Sequence, residues 1–227
     1  MFRAMKLQPP HGWPSVWWEL AIVTLGVLLA LGAEQTIKGW DDGRELKAVR
    51  EALRSEVRRN LTAVHFRAQM KPCVDRRLAE IRTVFGRRSS GRPLGIGAPA
   101  GRPVYWTEST GTWQIALTGQ ALSEMPLDET LAFSNAIDAY QAFTRLRDEE
   151  DAHWRALGLL DDPAILSDED WPALRRTYGE AAALNARFTA VTEYILESAT
   201  LGEPVRALRL PAAVSERLRQ FCRPMLE

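Results

Sequence analysis

A run of uncharged, mostly apolar residues from Leu20 to Ala33 interrupts a chain that otherwise mixes polar and apolar positions finely. Alone it is short for a membrane span, which takes about 20 residues. Extended to 16–37, with Trp17 and Trp18 before it and Gln35 to Ile37 after it, the segment makes about 33 Å of helix at 1.5 Å per residue. Trp13, Trp17, Trp18 and Trp40 flank the run, and indole rings favour the headgroup level on both faces of a bilayer. Glu19 and Glu34 stand at its two ends, where a carboxylate reaches water. The pattern predicts a single transmembrane anchor over 16–37, behind a cytoplasmic leader of residues 1–15. A cleaved signal peptide would account for Arg3, Lys6 and the small residues Ala30-Leu31-Gly32. Pro9, Pro10, Pro14 and the tryptophans make the prelude too long and polar for one. A buried soluble helix suits the length of the apolar run but gives no reason for the tryptophans.

Beyond the anchor the spacing changes to three and four. Leu46, Val49, Leu53, Val57, Leu61, Val64 and Ala68 form one stripe, which predicts an amphipathic helix over 44–70. Gly39 and Gly43, with Asp41 and Asp42 as caps, predict a kink between it and the anchor. Pro72 predicts the start of a further helix through Leu78, Ile81 and Phe85, ending at Gly86. A glycine- and proline-rich loop follows over 86–103. Later helices are predicted over 109–124, from an Asp128 cap to Leu157, from a Ser167 cap to Ala199, and over 211–221. No alternating run bounded by turn signals survives, so the expected fold is all-α. It reads as an anchor helix followed by an antiparallel bundle of about six helices over 38–227.

Composition narrows the function classes. The chain has 29 Lys and Arg against 29 Asp and Glu, which gives no support to nucleic-acid binding. The balance hides an asymmetry: residues 38–103 hold 16 basic and 7 acidic side chains, residues 104–227 hold 11 and 20. Either the two halves pack together and pair their charges, or the basic half faces anionic headgroups. The two cysteines are too few for a disulfide-dense scaffold or a four-thiolate zinc site. Cys73 and Cys222 are either two buried thiols or a bridge. A bridge would close a loop of about 150 residues, contribute on the order of 5 kcal/mol, and imply an oxidising compartment. The leader carries Arg3 and Lys6 and no acid, and long domains translocate largely regardless of charge. The expected topology is therefore a cytoplasmic N-terminus and a periplasmic domain.

The order Trp17-Trp18-Glu19, Gly26-Val27-x-Leu29-Ala30-Leu31, then Leu53-Arg54-x-Glu56-x-x-x-Asn60-Leu61, resembles a group of uncharacterised bacterial proteins. These are single-pass inner-membrane proteins with an N-terminal anchor helix and a helical domain. The resemblance covers residues 1–65, and Trp113 to Leu122 is similar to a segment of the same group. It implies an inner-membrane address in a Gram-negative-type cell and brings no catalytic residues with it.

Several constellations hold residue types that carry chemistry in other settings. Glu150-x-x-His153 has the spacing of a di-iron helix, but Thr62 stands where His65 would need its carboxylate partner. Gly95-Ile96-Gly97 and Gly101 lack the strand and helix that make a phosphate cradle, and prolines 93, 99 and 103 break both flanks. Arg87, Arg88, Arg92 and Arg102 make that loop basic and open to anionic lipid or an acidic partner. There is no nucleophile elbow and no zinc helix. Asn60-Leu61-Thr62 matches a glycosylation sequon but falls mid-helix. Gly26-x-x-x-Ala30 has the small-residue spacing at which two membrane helices approach closely. No catalytic, cofactor or metal residue is expected. The expected role is a binding, scaffold or accessory subunit of an envelope complex, with membrane lipids and another envelope protein, or a second copy, as partners. The competing readings are a membrane-tethered enzyme with a non-linear site and a cytoplasmic regulator or tether.

Overall fold

The computed structural model describes residues 13–204 and 210–227, with side chains from Val16 onward; residues 1–12 of the leader and the Trp13 side chain lie outside them. The described residues hold five α-helices and no strand: α1 (Trp13–Ser89), α2 (Gly111–Thr118), α3 (Leu127–Leu157), α4 (Asp170–Ser198) and α5 (Ala212–Phe221). Short 3-10 turns follow α2 and α3. The chain divides into two units, Met1–Ala48 and Val49–Glu227.

Helix α1 corrects the expected subdivision. It takes in the anchor segment, the 44–70 stripe and the 72–86 helix without a break. Gly39 and Gly43 lie inside it, and Asp41 pairs with Arg44 at 2.6 Å instead of capping a new start. Pro72 also lies inside it. A mid-helix proline costs about 3 kcal/mol by removing one backbone bond. That cost is offset because the apolar stripe keeps its phase across it: Phe66, Met70, Val74, Leu78 and Ile81 are all buried in one cluster. Breaking the helix at Pro72 would rotate half of that stripe out of the core.

Three other predicted helices are redrawn at their ends. The 109–124 segment is an eight-residue α2 followed by the turn Ala121–Glu124. Helix α3 begins at Leu127, with Asp128 and Glu129 in its first turn, where carboxylates meet the positive end of the helix dipole. Ser167 stands before α4 and donates its hydroxyl to Asp170 at 2.7 Å, a contact that holds the Asp170 carboxyl below its usual range.

In the second unit, Arg50 meets Glu129 and Arg67 meets Glu150, so α3 runs parallel to α1. The crossover of residues 90–126 makes this possible by carrying the chain back along the unit. Helix α4 opposes both: Phe85 lies against Trp171 and Tyr178, while Arg67 reaches Asn185. The expected antiparallel order therefore fails at the α1–α3 step, where the connection is long rather than short.

Four polar side chains of α1 sit in phase with the apolar stripe and are buried: Glu56, Asn60, Arg67 and Arg77. Each has a definite task. Glu56 accepts the backbone N–H groups of Thr112 (2.9 Å) and Trp113 (3.1 Å), satisfying the start of α2. The Asn60 amide exchanges two bonds with the backbone of Ser109, at 2.7 and 3.0 Å, which removes the sequon from the surface. Arg67 donates to both oxygens of Glu150 and to Asn185, and its guanidinium stacks on Phe188. Breaking a buried pair from one side costs about 3–5 kcal/mol, because a charge is left uncompensated. Glu150→Leu should therefore lower stability by that order in urea denaturation. The double variant Arg67→Met with Glu150→Leu should recover most of the loss.

Candidate functional site

Three features of the structure bear on function: the apolar segment of α1, the bridged end of α1, and a cavity beside that bridge. Every residue from Val16 to Ile37 is exposed, including Trp17 and Trp18, and Trp40 is 71% exposed. This helix, alone among the described residues, is long and apolar enough to cross a membrane. Three of its polar side chains are satisfied within the helix, as suits a lipid environment. Thr36 donates to the carbonyl of Gly32 at 2.7 Å, and Lys38 pairs with Glu34 at 2.7 Å. A methyl placed on Gly26 would meet nothing within 4 Å. Gly26 and Ala30, one turn apart, thus form an open notch on the exposed helix.

Cys73 and Cys222 are joined by a disulfide. One turn along α1, Arg77 is almost completely buried. Its guanidinium donates to four backbone carbonyls: Pro99, Ala100 at 2.7 Å, Phe221 at 2.8 Å and Arg223 at 2.7 Å. Burial lowers the Arg77 pKa, and the carboxylate of Glu80, 3.2 Å away, opposes that. Arg76 adds a bond to the carbonyl of Cys222 at 2.5 Å. One disulfide and two arginines therefore fasten both the 99–100 segment and residues 221–223 to α1.

Beside this clamp a cavity of about 720 Å³ opens between residues 98–105, α3 and α5. Pro99, Pro103, Val104 and Phe221 supply apolar wall, and four arginines and two aspartates reach it. Arg102 pairs with Asp151 at 3.0 Å, and Arg147 pairs with Glu108 and with Asp148 at 2.9 Å. Burial raises the Glu108 pKa against the pull of Arg147. Arg217 and Arg223 have no carboxylate partner among the described residues. The Tyr105 hydroxyl is buried and makes no hydrogen bond; burial first, then the charge of Glu150, raises its pKa.

The residues weighed for catalysis are not brought together. Glu150 is held by Arg67, while His153 lies 3.7 Å from Glu180 and His65 contacts Gln69. No group of three or more His, Cys, Asp or Glu side chains converges among the described residues. The loop arginines are largely spent within the chain: Arg87 on the carbonyl of Leu94, Arg88 on Asp168, Arg102 on Asp151. Sequence reasoning missed Arg67, Arg77 and the cavity. A usable signal existed for the first two, since a charged residue in phase with an apolar stripe needs a buried partner.

The bridge closes a loop with a sequence separation of 149 residues. On chain-entropy grounds its loss should cost about 5 kcal/mol. Cys222→Ser, Cys73→Ser and the double variant should shift the urea midpoint equally, and reductant should shift only the wild-type chain. No family model matches the chain, and no curated protein and no solved structure matches it either.

Proposed function

We propose that the protein is a single-pass inner-membrane protein whose helical domain works in the periplasm as a non-enzymatic binding or accessory subunit of an envelope complex. Kinship with the inner-membrane proteins whose anchor it resembles belongs to the same proposal. The observation that carries it is the complete exposure of Val16 to Ile37 on a helix long enough to span a bilayer. Contiguous apolar surface of that extent is rare on soluble monomers and marks an interaction with lipid or protein. The tryptophans Trp17, Trp18 and Trp40 suit the two headgroup levels. The Cys73–Cys222 bridge favours the periplasmic side, because cytosolic disulfides are reduced. A binding role is supported by the use made of the buried charges. Glu56, Arg67, Arg77 and Glu150 are all engaged in holding the fold. Ile115 and Leu117 on α2, and Leu127 and Leu131 on α3, stay exposed as apolar surface available to a partner.

Fusions at Glu227 test the address. Alkaline phosphatase should be active there and a cytoplasm-dependent fluorescent protein dark; the reverse pattern would place the domain in the cytoplasm. Self-association through the Gly26 and Ala30 notch has its own test. Gly26→Ile should abolish the signal in a membrane two-hybrid assay, and an unchanged signal would remove that face as an interface.

A further inference from the structure

The cavity beside the Arg77 clamp has the properties of a binding site rather than of a packing gap. Its volume of about 720 Å³ falls within the range of small-molecule pockets, roughly 300–1,000 Å³. Its walls are fixed in place. The carbonyls of Pro99, Phe221 and Arg223, all lining residues, are gripped by the single guanidinium of Arg77. The Phe221 ring is pinned edge-on to Trp154 at 5.7 Å, with Arg77 stacked on it at 5.4 Å. The Cys73–Cys222 bridge ties down the residue between Phe221 and Arg223. A wall held this firmly loses little freedom when a ligand arrives, which is the condition for preorganised binding.

The charges lining the cavity are unequal. Arg102 and Arg147 are neutralised by Asp151, Asp148 and Glu108. Arg217 on α5 and Arg223 just after it make no ion pair among the described residues. Glu216 pairs directly with Arg219 at 2.5 Å, and its pKa is lowered by that hydrogen bond first and, less, by the charge of Arg223; Arg219 does not line the cavity. Two guanidinium groups free of ion pairs among the described residues, at the edge of a rigid apolar wall, match a ligand that is anionic at one end and apolar at the other. Planar oxyanions suit guanidinium forks in particular.

We propose that this cavity binds a small organic anion, with Arg217 and Arg223 taking its carboxylate, sulfonate or phosphate group and the wall of Pro99, Pro103, Val104 and Phe221 taking an aromatic or short acyl body. The site is built wholly within the second unit and does not depend on the membrane reading.

Naphthalene-2-sulfonate is a suitable probe. It can be titrated calorimetrically into the full chain in phosphocholine nanodiscs, with empty nanodiscs as the blank and naphthalene-2-methanol as the neutral counterpart. Saturable binding at one site per chain is expected, at least tenfold tighter for the sulfonate than for the alcohol. Arg217→Gln with Arg223→Gln should weaken sulfonate binding at least tenfold without changing the melting temperature, since both side chains are exposed. Arg219→Gln should leave it unchanged. Absence of saturable binding, equal binding of the alcohol, or an unaltered affinity in the double variant would each overturn the assignment.

Discussion

The second unit is organised around the carbonyl groups that its irregular segments cannot satisfy themselves. The carbonyls of Pro99 and Ala100 in the crossover, and of Phe221 and Arg223 at and just after the C-terminal end of α5, have no partner within a helix or sheet, and a buried unpaired carbonyl costs as much as a lost hydrogen bond. Arg77 answers four of them from one position on α1. Its charge stays buried because those carbonyl dipoles and Glu80 surround it. Lysine could not substitute, because three donors on a point charge cannot reach four carbonyls on two chain segments. Residues 99–100, the end of α5 and the cavity wall between them are held by this one guanidinium and the bridge beside it.

The same logic recurs at smaller scale. Glu56 completes the start of α2, Asn60 stands in for a strand partner of Ser109, and Arg67 joins α1 to α3 and α4. Short-range regularity comes from helix formation, but the relative placement of the elements comes from polar side chains on α1 that reach specific backbone or carboxylate groups. The charge imbalance between 38–103 and 104–227 has the same origin. Arg50, Arg58, Arg67, Arg88 and Arg102 of the basic half pair with Glu129, Glu203, Glu150, Asp168 and Asp151 of the acidic half. The asymmetry is therefore largely a record of which surfaces face one another within the unit.

The helical class, the apolar segment and the stripes of α1, α3 and α4 were readable in the sequence because periodicity is a local property. Leu53, Val57, Leu61 and Val64 are buried as their spacing requires. Pro72 does not end the helix because one residue's propensity yields to a stripe that keeps phase on both sides of it. The parallel arrangement of α1 and α3 was not legible, since it depends on where the crossover of 90–126 leads and no local signal encodes that. The pairing of Cys73 with Cys222 was open for the same reason: sequence separation does not reveal proximity. The cavity was the least legible feature. It is formed by residues from three stretches that share neither a motif nor a period.

The long reach of Arg77 has a consequence for biogenesis. Its partners at 221–223 are made some 145 residues after it, a delay of roughly 7–30 s at ordinary rates of synthesis. Through that interval Arg77 lacks two of its four carbonyls and Cys73 lacks its partner, although α3 and α4, made earlier, supply surface against the stripe from Met70 to Ile81. Helix α1 can form early, because its bonds are local, but the clamp at Arg77 and Cys73 cannot close until the last segment arrives. The nascent chain therefore passes through a window in which the clamp stays open and premature oxidation of Cys73 competes with its pairing to Cys222.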